Sequence, residues 1–236
     1  MLIRPERGGR ITSLRLDGAE ILDQGIGVDQ PTAEGFVEGG AWGWDEMVPN
    51  VEPTDSLPDH GEAWRLPWHV MEWPTDMVTM RCSGRLVPWE LQRSIVLKAD
   101  AVLVNYLYEN VGPSVQYAYW CAHPLFKFES GMEIDVPDGA RLARIAEGTS
   151  EKVFLPPGSV DRVRLGWKSG ARIEMSWDPA LTPYVGVWVC NGDLGGYRQI
   201  AIEAATGGND LPDPSAPPPL LAPGATFEWW LQIRAL

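Results

Sequence analysis

Cysteine, histidine and clustered positive charge are all scarce in this chain. Its 236 residues include three cysteines, Cys82, Cys121 and Cys190. They form no CxxC pair and no Cys/His spacing of the kind a zinc site needs. No cluster of metal-ligating residues, phosphate-cradling loop or nucleophile motif is present, so chemistry without metal or cofactor is expected. Lysine and arginine number 19 against 32 Asp and Glu, a net charge of −13, and no basic cluster relieves it. Such a chain repels phosphate backbones and anionic lipid surfaces, which sets aside nucleic-acid and membrane partners. No apolar run approaches the roughly 20 residues of a membrane-spanning helix. The opening MLIRPERGGRITSL carries no continuous apolar stretch or cleavage signal, and an odd number of scattered thiols suits a reducing compartment. The cytoplasm is the expected location.

Helix signals are equally thin. No dozen consecutive residues hold a 3.6-residue apolar period without a glycine or proline. What is abundant instead is punctuation and alternation: 25 Gly and 21 Pro divide short segments whose apolar residues recur every second position. RITSLRLDGAEIL predicts two strands around an Asp17-Gly18 turn. LQRSIVLKADAVLVNYLYEN predicts a hairpin around Lys98-Ala99-Asp100. ARLARIAEG, RVRLGWKSGARIEMSW, YVGVWVCNG and FEWWLQIRAL continue the strand pattern. The length suits one all-β domain, residues 1–236, a large sandwich or barrel of antiparallel strands. Two stretches interrupt it. Residues 25–68 form a long irregular segment, the kind that often carries a binding loop. Residues 207–224, GGNDLPDPSAPPPLLAPG, predict an extended proline-rich passage.

Three segments hold the residues most suited to chemistry. YAYWCAHPLFKF places His123 inside an aromatic, apolar run. A lone histidine there is more often a satisfied core residue than an acid or base. IAIEAA places Glu203 in an otherwise apolar strand, on the face opposite Ile200 and Ile202. That face can be solvent, or a cleft in which burial raises the carboxyl toward neutrality and suits it to act as a base. GAWGWDEMVPNVEPTDSLPDHGEAWRLPW supplies Asp45, Glu46, Asp59, His60, Glu62, Trp64 and Arg65, of which Glu46, Glu62 and Arg65 read more readily as loop charges than as ligands. His69 opens a strand and reads as exposed. Twelve tryptophans are many for this length. Most are explained by packing, but the flat faces of sugars also stack on aromatic rings, and Trp44 and Trp64 are the choices for that role.

Taken in order, these segments resemble the aldose 1-epimerase, or galactose mutarotase, superfamily, including its hexose-phosphate mutarotase-like branch. RPERGGRITSLRLDGAEIL is similar to the family's opening strands, PDHGEAWRLPW to its His-Gly loop and YWCAHPLFKF to its His-Pro segment. PYVGVWVCNGDLGGYRQIAIEAATGGND is similar to its glutamate strand, and LLAPGATFEWWLQIRAL to its closing strand. The resemblance spans nearly the whole chain and is more specific for superfamily than for substrate. It implies an all-β supersandwich of antiparallel sheets with an open sugar-binding face. It also implies Glu203 as general base, His123 as general acid and His60 as a second, sugar-binding histidine. Asp45, Trp44, Trp64 and Arg65 are candidates for substrate contacts, with Asp193 an alternative aspartate. The family's early arginine has no clear counterpart, for WGWDEMVPN contains none. The sugar-phosphate branch's HGxAR pattern meets Trp64 where its arginine belongs, with Arg65 one residue later.

The expected chemistry is anomer interconversion of a monosaccharide or sugar derivative. The anomeric hydroxyl gives its proton to a carboxylate and the ring oxygen takes one from a protonated imidazole, the two groups standing on opposite sides of the sugar. Rotation and reclosure give the other anomer. The rivals on the same scaffold are a non-catalytic carbohydrate-binding protein and an isomerase or lyase acting on a modified sugar.

Overall fold

Two antiparallel sheets face each other in the computed structural model, which describes residues 1–236. One has seven strands, in the spatial order Leu2–Arg4, Arg10–Ser13, Trp44–Met47, Cys121–Lys127, Arg198–Ala205, Tyr184–Asn191 and Thr149–Leu155. The other has eight, centred on the long strands Thr226–Ala235, Ala101–Asn110 and Trp89–Leu97. A single apolar cluster of 45 buried residues lies between them and draws on both inner faces, so the two sheets share one core. This is the sandwich that period-two alternation requires, each strand sending every second side chain inward.

The turns follow the local chemistry. Asp17 and Gly18 both take positive φ (48° and 79°) between the paired strands Arg15–Leu16 and Ala19–Glu20. Leu97 pairs with Val102 across Lys98-Ala99-Asp100. ARLARIAEG departs from its expected strand: residues Gly139–Leu142 form one helical turn, entered through Asp138 at φ 63°. Four residues are too few for periodicity to separate helix from strand.

The central strands of the seven-stranded sheet are buried on both faces, and this positions the site. Ile200, Ile202 and Ala204 point into the inter-sheet core. Ala201 and Ala205 point outward, into a second cluster with Leu125, Phe36, Val51 and Trp64. The cover comes from the irregular segment 25–68. That segment also contains a short helix, Phe36–Gly40, and contributes a mid-sheet strand of its own, Trp44–Met47. No helix is long and apolar enough to cross a membrane.

Candidate active site

His123 and Glu203 lie opposite each other on neighbouring strands. The two strands pair Cys121 with Ala205 and Leu125 with Ala201, a register that sets His123 across from Glu203. Pro124 has no N–H to give to that ladder. On its other side His123 is paired with Asp45. Both side chains leave the outer face of the sheet, yet neither meets bulk solvent: Glu203 is 2% exposed and His123 4%. Alternation therefore assigns the face of Glu203 correctly, and the covering loop turns that face into a cleft.

The cleft holds a cavity of about 280 Å³ lined by Phe36, His60, His123, Lys152, Trp188 and Glu203, among others. Its size suits one sugar ring, near the lower end of small-molecule sites. A larger groove of about 560 Å³ lies at the far edge of the eight-stranded sheet, beside Glu133, Arg164 and Arg172. Arg164 is paired there with Glu174, and Arg172 with Glu133. No histidine lines it.

His123 Nε2 stands 3.9 Å from Glu203 Oε1. The two side chains thus share one floor of the cavity instead of facing each other across it. The other oxygen, Oε2, lies 2.6 Å from Lys152 Nζ, which also reaches Asp210 Oδ2 at 2.5 Å. Burial pushes the Glu203 carboxyl above its ordinary value, with the Lys152 ammonium pulling against it and Asp210 adding to the rise. Burial pulls Lys152 down, but its two carboxylate neighbours outweigh this and hold it above the usual lysine value. His123 is held well below an ordinary imidazole, first by burial and then by His60 and Lys152, and its Nδ1 has no hydrogen-bond partner.

His60 reaches the same cavity from the covering loop. Its backbone takes φ 57°, in the left-handed region where histidine is among the more tolerated residues. Three contacts hold it: its N–H donates to Val51 O at 2.7 Å, Asp59 Oδ1 lies 2.8 Å from Nδ1, and Phe36 stacks on the ring at 4.5 Å. Gly61 follows at φ 67°, where a Cβ would sit 2.3 Å from Val48 O. The His60 and His123 rings meet edge-on at 5.3 Å. Asp59 also accepts the Phe36 N–H at 2.7 Å, tying the short helix to the histidine loop.

Several expected contacts lie elsewhere. Trp44 is 0% exposed on the core face of its strand and cannot stack on a ligand. Trp64 is equally buried, beneath Phe36 at 5.1 Å in edge contact. Asp45 faces the right way, but both its oxygens are taken by Arg10, with Nη2 at 2.6 Å. Arg65 packs over the Trp64 ring and donates to Glu34 O, away from the cavity. Asp193 accepts a hydrogen bond from Ser150 at the surface. Glu46 is no loop charge: it lies in the core, bound to Arg93, Tyr106 and Trp120. Glu62 is buried and caps the N–H groups of Arg85 and Leu86. The tryptophan that does line the cavity is Trp188, from VGVWVCNG. Lys152 and Asp210 were not signalled by the sequence. No group of three or more His, Cys, Asp and Glu side chains is arranged to hold a metal ion.

Comparison with known proteins bears on the fold alone. No protein-family model and no curated protein matches the chain. Among solved structures, the Slr1438 protein from Synechocystis sp. PCC 6803 aligns over 99% of this chain and 90% of its own, at 17% identity and a TM-score of 0.80. A candidate aldose 1-epimerase from Escherichia coli K12 aligns over 98% and 94%, at 15% identity and 0.77. A galactose mutarotase-like protein from Lactobacillus casei ATCC 334 aligns over 98% and 95%, at 14% identity and 0.71. Over nearly its whole length, then, the chain has the all-β supersandwich fold of the galactose mutarotase-like proteins.

Proposed function

We propose that this protein interconverts the anomers of an uncharged aldose by acid–base ring opening, with Glu203 as base and His123 as acid. The observation that carries the reading is the 3.9 Å approach of His123 Nε2 to Glu203 Oε1 on the floor of a cavity of monosaccharide size. The anomeric oxygen and the ring oxygen are both bonded to C1. An acid and a base on one floor can therefore serve the two oxygens of a sugar presented edge-on. Glu203 Oε1 takes the proton of the anomeric hydroxyl, His123 Nε2 gives one to the ring oxygen, and the bond from C1 to that oxygen breaks as the carbonyl forms. Rotation about C1–C2 and the reverse transfers close the ring as the other anomer.

The working unit is the pair carrying one proton, and its titration belongs to both members together. Burial, His60 and Lys152 all work against a protonated His123, while Lys152 beside Oε2 also favours the Glu203 carboxylate. Activity is expected to be bell-shaped in pH, falling when the pair loses its proton or gains a second. In this reading Trp188, which lines the cavity, stacks on the sugar, and His60, oriented by Asp59, supplies a second imidazole.

An uncharged substrate is favoured by the charge count around the cavity. Its lysine is already held between Glu203 and Asp210. Neither Arg10, bound to Asp45, nor Arg65, turned toward Glu34, is free to meet a phosphate or carboxylate. The test is NMR or polarimetric equilibration of α-glucose and α-galactose beside glucose 6-phosphate and glucuronate. Acceleration of a neutral sugar, reduced by about 10²–10⁴-fold in each of Glu203→Gln and His123→Asn, is expected. No acceleration by folded protein, or full activity in Glu203→Gln, refutes the reading.

A further inference from the structure

Lys152 has a more particular geometry than a charge near a carboxylate requires. It belongs to the outermost strand of the seven-stranded sheet, Thr149–Leu155, and is paired with Trp188, not with Glu203. To reach Glu203 its side chain crosses the intervening strand at Gly186, the residue paired with Glu203. A Cβ at Gly186 would lie 2.9 Å from Lys152 Cε and 3.2 Å from Glu203 Oε2, so any larger residue would close this passage. At its far end the ammonium is gripped by Asp210, which enters from the proline-rich segment after the Glu203 strand. The arrangement is asymmetric at the carboxylate. Oε2 is held by Lys152, with Cys121 Sγ at 4.0 Å, while Oε1 makes no protein hydrogen bond and faces His123.

We propose that Lys152, clamped by Asp210, is a positioning residue that pins Oε2 of Glu203, leaving Oε1 as the proton acceptor that faces the cavity. The inference deepens the proposed acid–base reading by naming what sets its proton inventory. The titratable groups that face Glu203 are Lys152, Asp210, His123, His60, Cys121 and Tyr119. Of these, Lys152 and Asp210 act on it with opposite sign. Lys152 favours the carboxylate, and Asp210 disfavours it while holding Lys152 in place.

Opposite signs make the assignment testable independently of turnover. The Glu203 side-chain carboxyl carbon, assigned by its loss in Glu203→Gln, is followed by NMR as a function of pH. Lys152→Met should move its titration upward by about one to three pH units, the usual effect of losing an opposite charge at contact distance. Asp210→Asn should move it downward, and Lys152→Arg should restore most of the wild-type value. Where a sugar is turned over, the limb of the pH–kcat/KM profile that coincides with this titration moves with it. A carboxyl titration unchanged in Lys152→Met, or shifted in the same direction in both variants, overturns the assignment. If Lys152→Met does not fold, Asp210→Asn decides alone: a downward shift supports the proposal and any other result overturns it. If no sugar is turned over, the anomerase reading falls while the titration still tests the Lys152 clamp.

Discussion

Glu46 separates residues that build the site from residues that would act in it. It lies on the core face of Trp44–Met47, beside the His123 strand, and is 0% exposed. Its carboxylate accepts from Arg93 Nη1 at 2.8 Å, Tyr106 Oη at 2.9 Å and Trp120 Nε1 at 2.7 Å. Arg93 is fully buried too, over the Trp68 ring, and donates to Gly9 O. Glu46→Gln removes the counter-charge and leaves a buried guanidinium uncompensated, at a cost of about 3–5 kcal/mol. Arg93→Met leaves the carboxylate uncompensated at a similar cost. For a domain of this size such a loss lowers Tm by roughly 6–20 °C. The double variant should be no less stable than the worse single, because the second change removes the charge stranded by the first. Urea unfolding of the four proteins, with kcat/KM measured well below each Tm, checks both halves. Effects that add within about 0.5 kcal/mol would show that the two groups are not coupled. A Glu46→Gln protein that stays folded yet loses turnover as deeply as Glu203→Gln would refute its purely structural role.

Two further outcomes follow from the same geometry. Trp188→Ala should weaken sugar binding with little loss of stability, while Trp64→Ala should cost about 3–5 kcal/mol of stability through the cavity it leaves; sugar titration and urea unfolding of both variants tell them apart, and the reverse pattern would return Trp64 to the sugar site. Burial alone would raise Asp59, but the His60 ring and the Phe36 N–H hold it below the ordinary aspartate value. Its ionised form therefore contributes stability that is complete above that ordinary value and is lost as pH falls through the depressed one. The stability difference between wild type and Asp59→Asn should be constant near neutrality and shrink between about pH 4 and pH 2, and a difference that grows on acidification would contradict the assignment.

Alternation, turn residues and the shortage of helical periods were enough to read the all-β architecture, the Asp17-Gly18 and Lys98–Asp100 turns and the outward face of Glu203, because each depends on neighbours along the chain. His123, His60 and Glu203 stood out for a related reason: a polar group in an apolar or turn-rich setting is visible locally. The tryptophan assignments failed where that logic ends. Trp44 and Trp188 both lie in a sheet covered on both faces, and there alternation no longer tells core from cleft. Trp44–Met47 read as loop because a four-residue strand between glycines and prolines carries too little pattern. Lys152, in TSEKVFL, has the spacing of an ordinary surface lysine, and Asp210 reads as a turn residue among prolines. Only the sheet order, which brings a strand 51 residues earlier to within one strand of Glu203 and leaves a glycine between them, turns that lysine inward. Local pattern determined most of the strands and the face of Glu203; long-range pairing decided which charges surround it, since a carboxylate's proton affinity depends on neighbours in space.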